Sequence, residues 1–114
     1  MNYGLQLFSV RDITKDDMEG ALRGVAAMGY EFVEFAGFMG HPAEQVKAWL
    51  DQYGLRASGT HTGLAALTDD VLYETFAYHK AFGCKIIIVP YEKLETKEAV
   101  YAVVDRVNQL QSRL

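Results

Sequence analysis

The residues best able to do chemistry lie at the ends of short β-favouring stretches. In Arg56-Ala57-Ser58-Gly59-Thr60-His61-Thr62-Gly63 a strand-like run finishes in a cluster of polar groups. One helical pattern closes at Gly54 before it and another opens at Thr68 after it, and strand-loop-helix units place function on the loop after the strand. His61 stands at that end, with an imidazole that donates and accepts hydrogen bonds and changes charge near neutral pH. The plainer reading is a hydrogen-bonded loop histidine. Glu34 falls near the end of the run Glu31-Phe32-Val33-Glu34-Phe35-Ala36. A carboxylate accepts through two oxygens, and an acid inside a strand needs a partner; the alternatives are a strand-end ion pair or a solvated group. Gln6 and Phe8 alternate to one side of the first β-favouring run, and they are site residues only if that side faces inward.

Other reactive types read as structural. His41 sits beside a helix start and His79 lies mid-helix, so both are expected to be structural or solvated. The only cysteine, Cys84, has no partner for an internal disulfide and lies where a small buried thiol packs well. The adjacent acids Asp16-Asp17 and Asp69-Asp70 read as first-turn helix charges, not as a catalytic pair. Trp49, Phe76 and the tyrosines at helical spacing read as core or helix-sheet packing.

The elements that must position these groups alternate regularly. A strand is expected over Gly4–Val10, stopped by the polar cluster Arg11 to Asp17. Thr14 with Asp17 forms a capping-box signature for a helix whose stripe is Met18, Ala21, Leu22, Val25 and Ala26, closed by Gly29. The second strand is Glu31–Ala36. Its helix opens at Pro42, carries Val46, Trp49, Leu50 and Tyr53, and closes at Gly54. After the third strand, Thr68 caps a helix with Asp69 and Asp70 in its first turn, running to Phe82 and stopping at Gly83. Lys85-Ile86-Ile87-Ile88-Val89-Pro90 reads as a parallel strand buried on both faces. Thr96 caps a last helix with the stripe Val100, Val103, Val104, Val107, Leu110 and Leu114.

Met28-Gly29-Tyr30-Glu31, Tyr53-Gly54-Leu55-Arg56 and Phe82-Gly83-Cys84-Lys85 repeat one pattern of apolar, Gly, apolar, charged, each leading into a strand. The glycines recur at intervals of about 25 to 30 residues, the period of a βα unit. Four such units imply one parallel sheet with right-handed crossovers. With about 28 residues per unit, and ~250 residues for eight, the chain matches half of a (β/α)8 barrel. Leu114 falls in phase with the final helix and no fifth strand follows it, as in a chain cut at that point.

Composition sets outer bounds. The chain has 114 residues, 50% of them hydrophobic and 23% charged, enough for one domain over 1–114 with one small core. Its net charge is −4 with the basic residues scattered, which argues against a nucleic-acid groove or an anionic membrane surface. No basic region precedes an apolar run at the N-terminus, and the longest apolar run is far short of the ~20 residues of a membrane span. A cytoplasmic location is expected.

Gly4-Leu5-Gln6-Leu7-Phe8-Ser9-Val10-Arg11-Asp12, Phe32-Val33-Glu34-Phe35 and Gly59-Thr60-His61-Thr62-Gly63-Leu64 together resemble the N-terminal half of the sugar phosphate isomerase/epimerase family, with its xylose-isomerase-like barrel. The resemblance covers the whole chain. It implies aldose-ketose isomerisation or epimerisation through an enediolate, stabilised by a divalent metal such as Mn, Mg, Zn or Co. In such proteins the metal ligands come from the second half of the barrel, so none carries over here. What carries over is the first-half wall of a sugar or sugar phosphate site: His61 and Glu34 for hydroxyls, with Gln6 and Phe8 if they face the interior. A catalytically incomplete portion of such an enzyme is the first reading. A self-associating half-barrel, two copies of which close one eight-stranded ring as a structural or binding module, is the second; the expected partner is a second copy in a homodimer or the missing C-terminal half. A flavodoxin-like or receiver-like domain ranks last, because Phe8-Ser9-Val10-Arg11 is no phosphate loop and Thr60-His61-Thr62 holds no acidic phosphoacceptor.

Overall fold

The computed structural model describes residues 2–113. Four strands, β1 (Gly4–Gln6), β2 (Phe32–Phe35), β3 (Arg56–His61) and β4 (Ile87–Ile88), form one sheet in the order β1-β2-β3-β4, every pair parallel. Five helices accompany them: the short α1 (Arg11–Thr14), then α2 (Met18–Ala27), α3 (Ala43–Tyr53), α4 (Leu72–Ala81) and α5 (Lys97–Gln111). Sequential order in an all-parallel sheet is the arrangement of half a (β/α)8 barrel.

The helix-side face of the sheet holds the core. Leu7, Val33 and Phe35 pack there with Met18, Leu22 and Val25 of α2 and with Val46 and Leu50 of α3. The α2 stripe is the one its sequence spacing predicts. Trp49, Tyr30, Tyr53 and Tyr78 pack against this core, whereas Tyr73 and Tyr101 stand exposed, contrary to the packing expected of them. Gly29, Gly54 and Gly83 all adopt positive φ, at 94°, 68° and 77°. That left-handed step ends a helix and turns the chain toward the next strand, and only glycine takes it without a Cβ clash. Cys84 is buried and hydrogen-bonds the Ile86 carbonyl, and its burial pushes the thiol pKa up.

Four expectations are corrected. The first strand ends at Gln6, not Val10; residues Leu7–Val10 wind into a 3-10 turn that runs into α1. The α2 cap is Asp17, whose carboxylate accepts from the Gly20 N–H at 2.9 Å. Thr14 is buried instead, with its hydroxyl donated to the Val10 carbonyl. The helix expected from Thr68 begins at Leu72, after a 3-10 turn at Leu64–Ala66. Asp69 serves α5 rather than a helix start: it accepts from Arg106 at 3.2 Å and Arg113 at 2.7 Å. Finally, β4 is not buried on both faces, since Ile86 is 56% exposed and only two residues join the ladder. As an outer strand it has one neighbour in the sheet, so it lacks the cover that a closed ring provides.

Thr96 caps α5 as expected, accepting from the Ala99 N–H. Its apolar stripe is only partly used: Leu110 joins a small cluster with Leu67 and Leu72, while Val100, Val104 and Val107 stay exposed. Leu114, the last residue of that stripe, lies outside the described residues. Among the described residues no helix is long and apolar enough to cross a membrane.

Candidate functional site

Gln6, Glu34 and His61 converge on the face of the sheet opposite the core. Ladder register explains how. Gln6 lies directly across from Glu34, and both alternate with residues committed to the core, Leu7 and Val33 with Phe35. Between β2 and β3 the register slips at Val33/Glu34, so that Val33 pairs with Ala57 but Glu34 pairs with Gly59. The slip leaves Ser58 as the extra residue of a bulge, and its hydroxyl donates to the Val33 carbonyl. Gly59 therefore lies beside Glu34, with His61 one pleat further along on the same face. Gly59 has no side chain to fill the space, and a Cβ there would meet Ile88 Cδ1 at 3.2 Å.

The three side chains form a tight cluster. Gln6 Nε2 donates to Glu34 Oε1 at 2.6 Å, and His61 Nε2 stands 2.9 Å from the same oxygen. Gln6 Nε2 and His61 Nε2 are 3.1 Å apart. Hydrogen on Nε2 lets His61 and Gln6 both donate to the one carboxylate oxygen, their nitrogens then adjacent but not bonded; without it Nε2 accepts from Gln6 and faces the carboxylate as a second acceptor. His61 and Glu34 side chains keep 22% and 26% of their surface exposed. The cluster is thus preorganised yet open, able to offer an imidazole, an amide and a carboxylate to a polyhydroxylated molecule. Gln6 and Glu34 also line a hollow of about 430 Å³ on this face, with Asn2, Phe32 and Ser58.

Phe8 is not part of the cluster. It sits on the 3-10 turn, 52% exposed, with the Arg11 guanidinium 4.2 Å from its ring centroid. The alternation expected to pair it with Gln6 ends when the strand does.

Sequence reasoning missed a second group, on the helix side of β3. Thr60 and Thr62 flank His61 and point the other way, and the buried His79 of α4 binds them. Its Nε2 is 2.6 Å from Thr60 Oγ1 and 3.4 Å from Thr62 Oγ1, and its Nδ1 is 2.7 Å from the Thr75 carbonyl. A carbonyl only accepts, so Nδ1 carries the proton and Nε2 accepts from Thr60. Burial holds the imidazole pKa below its ordinary value, favouring this neutral form. The available signal was Thr75 and His79 four residues apart on one helix face. Tyr78 beside it donates to the His41 carbonyl, and burial, then Glu44, push its phenol up to about 12.

Among the described residues no three His, Cys, Asp or Glu side chains stand together to hold a metal ion. The residues present therefore do not make a site for the divalent ion that the resemblance implies.

The parallel sheet with its alternating helices defines the class: half of a (β/α)8 barrel. No family model and no curated protein matches the sequence. Solved structures do match. A sugar phosphate isomerase/epimerase from Parabacteroides distasonis superposes with a TM-score of 0.71 at 26% identity, over 95% of this chain and 48% of that one. A second sugar phosphate isomerase/epimerase from the same organism gives 0.66 at 21%, over 92% and 44%. A xylose isomerase domain containing protein from Salmonella typhimurium gives 0.60 at 17%, over 96% and 45%. The chain resembles the N-terminal half of sugar phosphate isomerase/epimerase and xylose-isomerase-like proteins, and it spans about half the length of those it matches.

Proposed function

We propose that this chain supplies the first-half wall of the active site of a sugar or sugar phosphate isomerase/epimerase. Gln6, Glu34 and His61 hold the substrate hydroxyls. The carrying observation is the convergence of Gln6 and His61 on one Glu34 oxygen, on the face that a closed barrel turns inward. Sugar hydroxyls both donate and accept, so they can bridge such a set without disturbing it. In the complete barrel, a divalent metal would stabilise an enediolate formed by removing the proton beside a carbonyl; its ligands would come from outside this chain. The chain alone is then a binding wall without turnover.

Assays of the purified chain with a panel of aldoses and ketoses, with Mn²⁺ or Mg²⁺, are expected to show no metal-dependent interconversion. Calorimetry on the same panel should detect binding that weakens about tenfold in Glu34→Gln, the loss of roughly one charge-assisted hydrogen bond. Metal-dependent turnover that survives removal of host isomerases would contradict the incomplete-wall reading.

A second reading, a self-associating half-barrel with a binding or structural role, is favoured by one specific observation. Val100, Val104 and Val107 of α5 and Ile86 next to β4 leave apolar surface exposed.

A further inference from the structure

His61 also borders a hollow of about 410 Å³ between Phe38, the segment after β3, and α4. That volume lies within the range of small-molecule sites. Every side-chain hydroxyl in its wall is already engaged, as is His79. Thr62 Oγ1 is 2.8 Å from Thr60 Oγ1, and both His79 nitrogens are bound as described. Thr75 Oγ1 donates to the Ala66 carbonyl at 2.6 Å, and the Tyr78 hydroxyl is taken by His41. Phe38 and Tyr78 pack with ring centroids 4.6 Å apart. The one ionisable group not yet accounted for in this lining is the exposed Glu74, and no Lys or Arg is present in it.

We infer that this hollow receives an uncharged, apolar portion of the same ligand whose hydroxyls the Gln6, Glu34 and His61 cluster holds, and that it excludes a phosphate. The inference rests on the proposed function of that cluster and narrows its substrate class. A hydroxyl or phosphate entering the hollow would shed water and find few free partners, which costs more than it returns. A phosphate would also meet Glu74 with no cation to offset it. An apolar group instead covers aromatic surface and loses nothing polar. His61 faces both compartments, so one ligand can span them. Any phosphate on a substrate must then point elsewhere.

The test is a titration of the isotope-labelled chain, followed by NMR, with benzyl alcohol and inorganic phosphate separately, then with glucose and benzyl β-D-glucopyranoside. Benzyl alcohol is expected to shift the Thr62, Ala66 and Tyr78 resonances saturably, and phosphate at equal concentration to leave them in place. The glucoside should move these and the Gln6, Glu34 and His61 resonances together, with at least tenfold higher affinity than glucose. Ala66→Phe, which fills the hollow, should remove that advantage. If glucose moves the cluster while benzyl alcohol leaves Thr62, Ala66 and Tyr78 unmoved, the inference fails and the proposed function stands. Phosphate shifts at those three positions would also overturn it. Benzyl alcohol binding with no sugar effect at Glu34 would overturn it by removing the reading on which it rests.

Discussion

His79 carries a titratable group with little room to charge. Its Nε2 accepts from Thr60 and its Nδ1–H is committed to Thr75, so protonation forces a second N–H against a hydroxyl already donated to it. The folded-state pKa lies below the ordinary 6.5 because burial penalises the cation. The unfolded chain therefore binds more protons as pH falls through about 6.5, and stability falls with it until the folded-state value is passed. Above that window the full contribution is present. Thermal unfolding across this range should show a declining midpoint for the wild type, and a shallower decline in His79→Gln, which has no imidazole to charge. Equal slopes in the two proteins would remove His79 as the cause. At this scale His61 and Glu34 were legible as candidates because each stands near a strand end, where barrels of this kind place their polar site groups. The sequence did not disclose His79, whose partners Thr60 and Thr62 lie 19 and 17 residues away and are brought to it only by α4 docking on β3.

Elements whose limits are set locally were legible, and those set by distant partners were not. Gly54 ends α3 in the left-handed region at the position its neighbours imply. The start of α4 lies beyond Asp69, which turns instead to α5, some forty residues on, where Arg113 and Arg106 bind it and hold its carboxyl below the usual range. Arg106 also donates to the Leu67 carbonyl. These contacts, with Leu110, are the main attachments of a helix whose valine stripe is otherwise exposed. Asp69→Asn is expected to raise amide exchange rates in the second half of α5 severalfold and to leave α2 and α3 unchanged. The same loosening should follow in the wild type at acid pH, as Asp69 protonates through its lowered pKa. Unchanged exchange in α5 would show that Leu110 alone suffices to hold it.

At the scale of the whole molecule, counting βα units identified half a barrel, and three solved proteins of about twice the length share the fold. The strand limits do not alter that count. The outer edges of β1 and β4 have no strand partner among the described residues, and unpaired edges beside exposed apolar surface favour pairing between chains. A two-fold dimer is the commonest closed arrangement, and it would set β4 of one copy against β1 of the other. Light scattering at micromolar concentration is expected to give the dimer mass or a heavier one. A folded monomer that binds no ANS would show the apolar face covered in another way and would remove the self-association reading.

The convergence on Glu34 is the centre of the account, and the nitrogens that make it can be watched directly. Long-range nitrogen-proton NMR on the His61 ring, with the Gln6 side-chain amide followed in the same samples, reports the cluster while sugars are titrated in. In the free chain the His61 ring should show hydrogen on Nε2. On adding a sugar that binds, the His61 nitrogens and the Gln6 amide should shift together and saturate at one concentration, and Glu34→Gln should abolish the joint response. If every sugar of the panel leaves both resonances stationary while other parts of the chain respond, the cluster is a structural ion pair and not a sugar-binding wall.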